Sequence, residues 1–269
     1  MNCIIPQYKK CEFIAINGDA TDVEPLPFGD TALKHVTHLE TLGSHLSASG
    51  KLLDDLKFHM EKRYKSCVKF YNFLRENTRA PLIVEMKELK ACVINSLLYN
   101  CETFGHVIPT DLEKTYNKLL RRTLNVRTNT PALTLYIEAG FVPIKALIYA
   151  RQLKFFTRYR DRALSMDTPR TRLFAKLLEN PTSYLQHYID LCSKYENPKE
   201  IYQSMSEEVK EKLRGLAGKN EHYKYKIYLE MNPELQTSPF LNSLHPLCND
   251  IIRFRLGSHV LPIETGRWS

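Results

Sequence analysis

LIVEMKELKACVINSLLYNCETFGHVIPTDLEKTYNKLLRRTLNVRTNTPALTLYIEAG, residues 82–140, decides the fold class. In its first part Met86, Leu89, Val93, Leu97, Cys101 and Phe104 recur every three or four residues. At ~3.6 residues per turn that spacing gathers them on one helical face, while Glu85, Glu88, Asn95 and Glu102 fall elsewhere. Gly105 ends this predicted helix and Pro109 closes the turn. Thr110 and Glu113 have capping-box spacing at the start of a second helix, which buries Leu112, Tyr116 and Leu119 and exposes Lys114, Lys118, Arg121 and Arg122. A third helix is predicted to open with Thr130 as N-cap and Pro131 at its first position, and to end at Gly140. Physics alone predicts a small helical bundle with a basic outer face.

Upstream, residues 51–76 carry Leu52, Leu56, Met60 and Tyr64 as an apolar stripe continued by Phe70, Phe73 and Leu74, which predicts one long helix. Before it the pattern turns to strand and loop. Residues 11–16 form a β-rich run ended by Asn17-Gly18, a hairpin-type dipeptide, and residues 34–44 hold a second strand with Val36, Leu39 and Leu42 as apolar members. Downstream, Val142-Pro143 opens a helix to about Ser165 in which Arg151, Lys154, Arg158 and Arg162 share one narrow stripe. Eleven residues at ~1.5 Å each make that row about 16 Å long, a length that suits tracking successive phosphates without reading bases. Leu147, Phe155 and Tyr159 lie nearby. Thr168-Pro169, Asn180-Pro181 and Asn197-Pro198 (with Glu200 at N3) mark further helix starts. Residues 204–214 form a charged helix, 215–220 a flexible break, residues 222–229 a strand or a helix, and Ser238-Pro239 starts a last helix.

With 269 residues, 43% hydrophobic content and 25% charged residues, the chain can bury a substantial core in one or two packed units. A net charge of +8 favours polyanionic partners. Seven cysteines stand singly, without a Cys-x-x-Cys pair, which points to reduced thiols in an intracellular protein. The first ten residues lack a signal-type apolar core, and no stretch approaches the ~18 apolar residues a membrane span needs. No Gly-rich phosphate loop, Gly-x-Ser-x-Gly or His-Glu-x-x-His motif is present.

Three stretches carry a resemblance: LLYNCETFG at residues 97–105, the Thr-Pro and Glu-x-Gly pair around residues 130–140, and FRLGSHVLPIETGRW at residues 254–268. Together they resemble the thumb and post-thumb region of reverse transcriptases encoded by non-LTR (LINE-like) retrotransposons. The resemblance covers residues 10–165 and 238–268 and fades between. It implies an end-of-palm β remnant at residues 1–48, a thumb-like helical bundle at 49–165, and a helical post-thumb segment at 166–269 that ends before a Cys/His box. Leu42-Gly43 occupies the place of the primer grip, whose glycine lets the backbone approach a phosphate closely. The family's metal-binding aspartates lie before that turn, so Asp54 and Asp55, which follow it, read instead as acids in the first turn of a helix, favoured there by the helix dipole.

The expectation is therefore a mainly α chain, a detached part of an RNA-directed DNA polymerase without its catalytic centre. Its predicted nucleic-acid contacts are Leu42, Gly43, Arg121, Arg122, Arg127, Arg151, Lys154 and Arg158, set against the backbone of an RNA or DNA template-primer. No catalytic residue and no metal site are expected here, and Mg²⁺ is expected only in the full-length polymerase. His245, Cys248 and His259 do not make a tetrahedral ligand set. No membrane and no small-molecule substrate are expected. The competing expectation is a host-adopted helical interaction module, binding a protein partner through apolar faces left bare by the missing palm.

Overall fold

The computed structural model describes residues 11–16, 26–28, 31–41, 44–50, 52–165, 168–219, 223–242 and 247–258. It is mainly α, as the sequence predicts. Two compact units divide at residues 65 and 66.

The first unit holds short strands. β1 (Glu12–Phe13) pairs in parallel with β4 (Lys34–His35), and β2 (Pro27–Phe28) pairs antiparallel with β3 (Thr31–Ala32). The predicted run at 11–16 is thus only two residues of strand, and its partner is parallel rather than a hairpin neighbour; Asn17 and Gly18 lie outside the described residues. β5 (His38–Thr41) and β6 (Ser44–Ser47) do form a hairpin, with His38 opposite Ser47 and Thr41 opposite Ser44. The strand predicted over 34–44 is therefore split, because residues 36–37 break the ladder between β4 and β5. α1 (Leu52–Glu76) follows, and the hydroxyl of Ser49 donates to Asp54 Oδ2 at 2.6 Å, as an acid beside a helix start should be used.

In the second unit, residues 82–104 are not one α-helix. α2 (Leu82–Glu88) runs into a π-helical turn, Leu89–Ile94, then a short α3 (Asn95–Leu97). Asn100 takes a left-handed conformation, and a 3₁₀ turn, Cys101–Thr103, follows. The π-turn widens the winding locally over Leu89–Ile94. Met86, Leu89, Val93, Leu97, Cys101 and Phe104 are all buried, so the predicted face survives the change of winding. Gly105 ends the stretch at φ +61°.

α4 (Thr110–Thr123) buries Leu112, Tyr116, Leu119 and Leu120. Its predicted capping box is absent: extended Pro109 is the N-cap, which puts Thr110 inside the helix where its side chain cannot receive the N3 amide. The next start is displaced by one residue in the opposite direction. Pro131, not Thr130, caps α5 (Ala132–Ala139), and Thr130 is buried. Gly140, at φ +62°, ends α5 as predicted.

α6 (Ile144–Ser165) is the hub of this unit. It packs against α7 (Pro169–Glu179), α8 (Ser183–Lys194), α9 (Pro198–Ala217) and the 3₁₀ turn, so the bundle and the helices beyond residue 165 share one core. Ala146 and Ala150, one turn apart, let Ile201 and Met205 of α9 approach closely, with Leu153 and Leu191 completing the layer. Thr168 and Asn197 are N-caps as expected, the latter accepting from the amides of Lys199 and Glu200. Asn180 is not: it ends α7, and Thr182 caps α8. The break predicted over 215–220 starts later, because α9 continues to Ala217 with Gly215 inside it and is capped at Gly218. α10 (Tyr223–Met231) makes residues 223–229 of the ambiguous segment helical; His222 lies outside the described residues. Ser238-Pro239 starts a 3₁₀ turn, Pro239–Asn242, after which residues 243–246 lie outside the described residues, and the last described helix is α11 (Cys248–Arg255). Among the described residues no single helix is long and apolar enough to cross a membrane.

Candidate nucleic-acid interface

Eight residues were predicted to meet a polynucleotide, and the structure sorts them. Leu42 and Gly43 lie outside the described residues. Lys154 and Arg158 are exposed on α6, and so is Arg162, the last cation of the stripe. Among the described residues no carboxylate pairs with any of these three. Arg160, next to the stripe, is the one tied locally, to Asp161 at 3.4 Å. Phe155 and Tyr159 stack on each other beside the row at 6.3 Å between centroids, and Phe155 keeps 46% of its surface exposed. Free cations flanked by an exposed ring are the combination that holds a single strand by phosphate attraction and base stacking.

Arg151 begins the same stripe but is anchored. Its two terminal nitrogens donate to Leu98 O at 3.3 Å and to Asn95 Oδ1 at 2.6 Å, so the guanidinium clamps the end of the π-turned helix. Arg121 is likewise structural: Nε donates to Thr130 O at 2.9 Å, and burial lowers the pKa of its half-covered guanidinium. Arg122 and Arg127 are exposed. Arg127 is located by its backbone, whose amide donates to Ser258 Oγ at 2.6 Å.

Of these cations Arg122 and Arg151 each line a cleft, and the two clefts share no residue. One, of about 310 Å³, collects Arg75 and Arg122 with Tyr71, Thr78 and Glu85. Desolvation raises the Glu85 carboxyl from its ordinary 4.5 to about 7. The other, of about 460 Å³, lies between the π-turn, the loop after Gly140, α6 and α9, with Arg151 and Lys90 at its edge. Lys90 sits on the exposed side of the π-turn with its amine 4.7 Å from the Phe141 ring centroid. Periodicity did not single out Lys90, because a regular helix would have placed it differently from a π-turn.

A buried polar network supports this surface. Gln152, next to Arg151 but turned about 100° round α6 into the core, is fully buried, and its amide nitrogen donates to Cys101 O and Gly105 O at 3.3 and 2.9 Å. That fixes its oxygen toward His187 Nε2, 2.9 Å away, so the imidazole must carry its proton on Nε2. Burial lowers the His187 pKa, and His106 and Lys145 push the same way. Tyr188 donates to Glu102 O at 2.6 Å and Tyr184 to Thr103 O at 2.7 Å, both holding the turn that ends at Gly105. At α5, Glu138 is fully buried against Arg255 Nε at 2.8 Å and accepts from Tyr228 Oη at 2.9 Å. The Arg255 N–H is not aimed along that line, so the contact is an ion pair rather than a directed hydrogen bond. Its sequence signal was an acid inside an otherwise apolar helix.

Among the described residues no group of three or more His, Cys, Asp or Glu side chains is arranged to hold a metal ion. Comparison with known protein families, curated proteins and solved structures returns no match.

Proposed function

We propose that this chain is a thumb and post-thumb part of a non-LTR retrotransposon reverse transcriptase, one that grips the template-primer backbone and leaves polymerisation to carboxylates elsewhere in the full-length enzyme. The observation that carries the reading is the row of exposed cations on α6, Lys154, Arg158 and Arg162, without carboxylate partners among the described residues and flanked by Phe155. A helical cation row contacts phosphates without reaching base edges, so binding is independent of sequence and steep in salt. Arg122 and Arg127 add exposed charge, whereas Arg121 and Arg151 spend donors on the fold.

The test is binding of RNA and DNA oligonucleotides at rising salt, for the native chain and for Lys154→Gln, Arg158→Gln and Arg162→Gln combined. These three spare Arg151, whose loss would release Asn95 and Leu98. Each lost phosphate contact flattens the plot of log K against log salt by about 0.9 on duplex DNA. The triple variant is expected to flatten the slope by about 2–3 and to weaken all sequences alike. Salt-independent binding overturns the reading.

A second reading, a protein-interaction module, draws on Leu173 and Leu177, exposed one turn apart on α7. A stable protein complex that forms without nucleic acid and is lost on Leu173→Ser favours it.

A further inference from the structure

We infer that the cleft between the π-turn, α6 and α9 takes one unpaired nucleobase from a strand whose phosphates run along the α6 row. The inference rests on the nucleic-acid reading above and gives it a preferred substrate form, single-stranded over blunt duplex.

At about 460 Å³ the cleft falls within the ~300–1,000 Å³ of ordinary ligand sites. Leu98 and Leu147 give it apolar surface, Phe141 and Tyr202 supply rings from opposite elements, and Lys90 and Arg151 supply positive charge. An apolar, aromatic interior with two cations fits a flat ring that carries an anion, which is the chemistry of a nucleotide. The Arg151 guanidinium has five N–H donors, and its bonds to Leu98 O and Asn95 Oδ1 fix its plane while leaving others for a phosphate. Lys90, held over Phe141, is the second cation.

Continuity chooses the occupant. Arg151 belongs both to the cleft and to the stripe that continues through Lys154, Arg158 and Arg162. A strand laid on those three cations is led to the cleft at Arg151. A base paired and stacked in a duplex cannot enter; an unstacked one can, and rings are what hold such bases. The π-turn contributes by presenting Lys90 on the cleft side while keeping Leu89 and Val93 in the core.

Fluorescence anisotropy separates the possibilities, using a labelled oligothymidine and a blunt DNA duplex of equal length. Leu147→Trp fills the cleft and retains every cation; Tyr202→Ala removes one wall instead, and thermal melts confirm that each variant folds. Losing one stacked base is expected to weaken oligothymidine binding about tenfold in either variant, while duplex binding stays within about twofold. Photocrosslinking of 5-iodouracil oligonucleotides to Phe141 or Tyr202 should accompany it. If both variants leave the single-strand to duplex ratio unchanged while the triple α6 variant weakens both ligands, the inference is overturned and the broader function stands. If the triple variant affects neither ligand, both fail together.

Discussion

Replacing Arg255 by Met tests the keystone of the second unit. Glu138 on α5 is fully buried, with Arg255 Nε at 2.8 Å and Tyr228 Oη at 2.9 Å as its partners. At that separation and an effective dielectric of ~20, the charges attract by roughly 6 kcal/mol, most of it offset by the desolvation of both groups. Removing the cation leaves the desolvation without the offset, so Arg255→Met should cost ~3–5 kcal/mol. Glu138→Gln should cost less, ~1–2 kcal/mol, because the amide oxygen can still accept from Tyr228 and the Arg255 side chain, 18% exposed, can turn toward water. The double variant should then lie close to Glu138→Gln, giving a coupling energy of about 3–5 kcal/mol, the whole Arg255→Met cost. Urea unfolding followed by far-UV circular dichroism measures all four corners. A single-variant cost for Arg255→Met under ~1 kcal/mol, or additivity within ~0.5 kcal/mol, refutes a paired buried charge at this point.

Glu85 should make stability fall with rising pH. Its folded pKa is raised from 4.5 to about 7, so its contribution is whole below the unfolded value and lost as pH climbs through about 7. At ~1.36 kcal/mol per unit the ceiling is near 3 kcal/mol, and screening by the adjoining open cleft reduces this to ~1–2. Glu85→Gln should remove that slope between pH 5 and pH 8 in urea titrations; an unchanged slope counts against the assignment. Gly105→Ala and Gly215→Ala should diverge in sign. At Gly105, φ is +61° and an added Cβ would stand 2.6 Å from Tyr184 Cδ2, whose ring is tethered through Thr103 O, so ~2–3 kcal/mol should be lost. Gly215 lies within α9 with nothing within 4 Å, and alanine there should gain ~0.5–1 kcal/mol. Asn197→Ala should cost ~1 kcal/mol in thermal melts by freeing the amides of Lys199 and Glu200.

What was legible depended on how locally each feature is decided. The caps at Thr168 and Asn197 need only bonds within three residues, and spacing found them. Thr110 and Thr130 have similar local spelling, yet the prolines beside them took the cap positions and moved each helix start by one residue. The apolar face of residues 82–104 was legible because burial fixes which residues point inward. The π-turn was not, since an extra residue in one turn alters winding without altering which side chains are apolar. Glu138 was visible as an oddity in an apolar helix, but its partners Tyr228 and Arg255 come from helices far along the chain. Helical spacing also placed Arg151 and Lys154 on one stripe without revealing that only Arg151 reaches a backbone carbonyl.

On the proposed nucleic-acid reading, that last distinction divides the work of the basic face. A guanidinium spanning Leu98 O and Asn95 Oδ1 has already lost its side-chain freedom, so a phosphate meeting its remaining donors costs little further ordering. Lys154 and Arg158, exposed and untied, must each be ordered by the ligand and contribute chiefly long-range attraction that salt screens. On the proposed reading, a bound strand would therefore be positioned at the anchored end of the row, beside the cleft, with the outer cations supplying strength without register. A row made only of free lysines and arginines would let a strand slide. One arginine bound into the fold would give it a fixed point, and Arg151 lines the same cleft as Phe141 and Tyr202, where the inference above places a base.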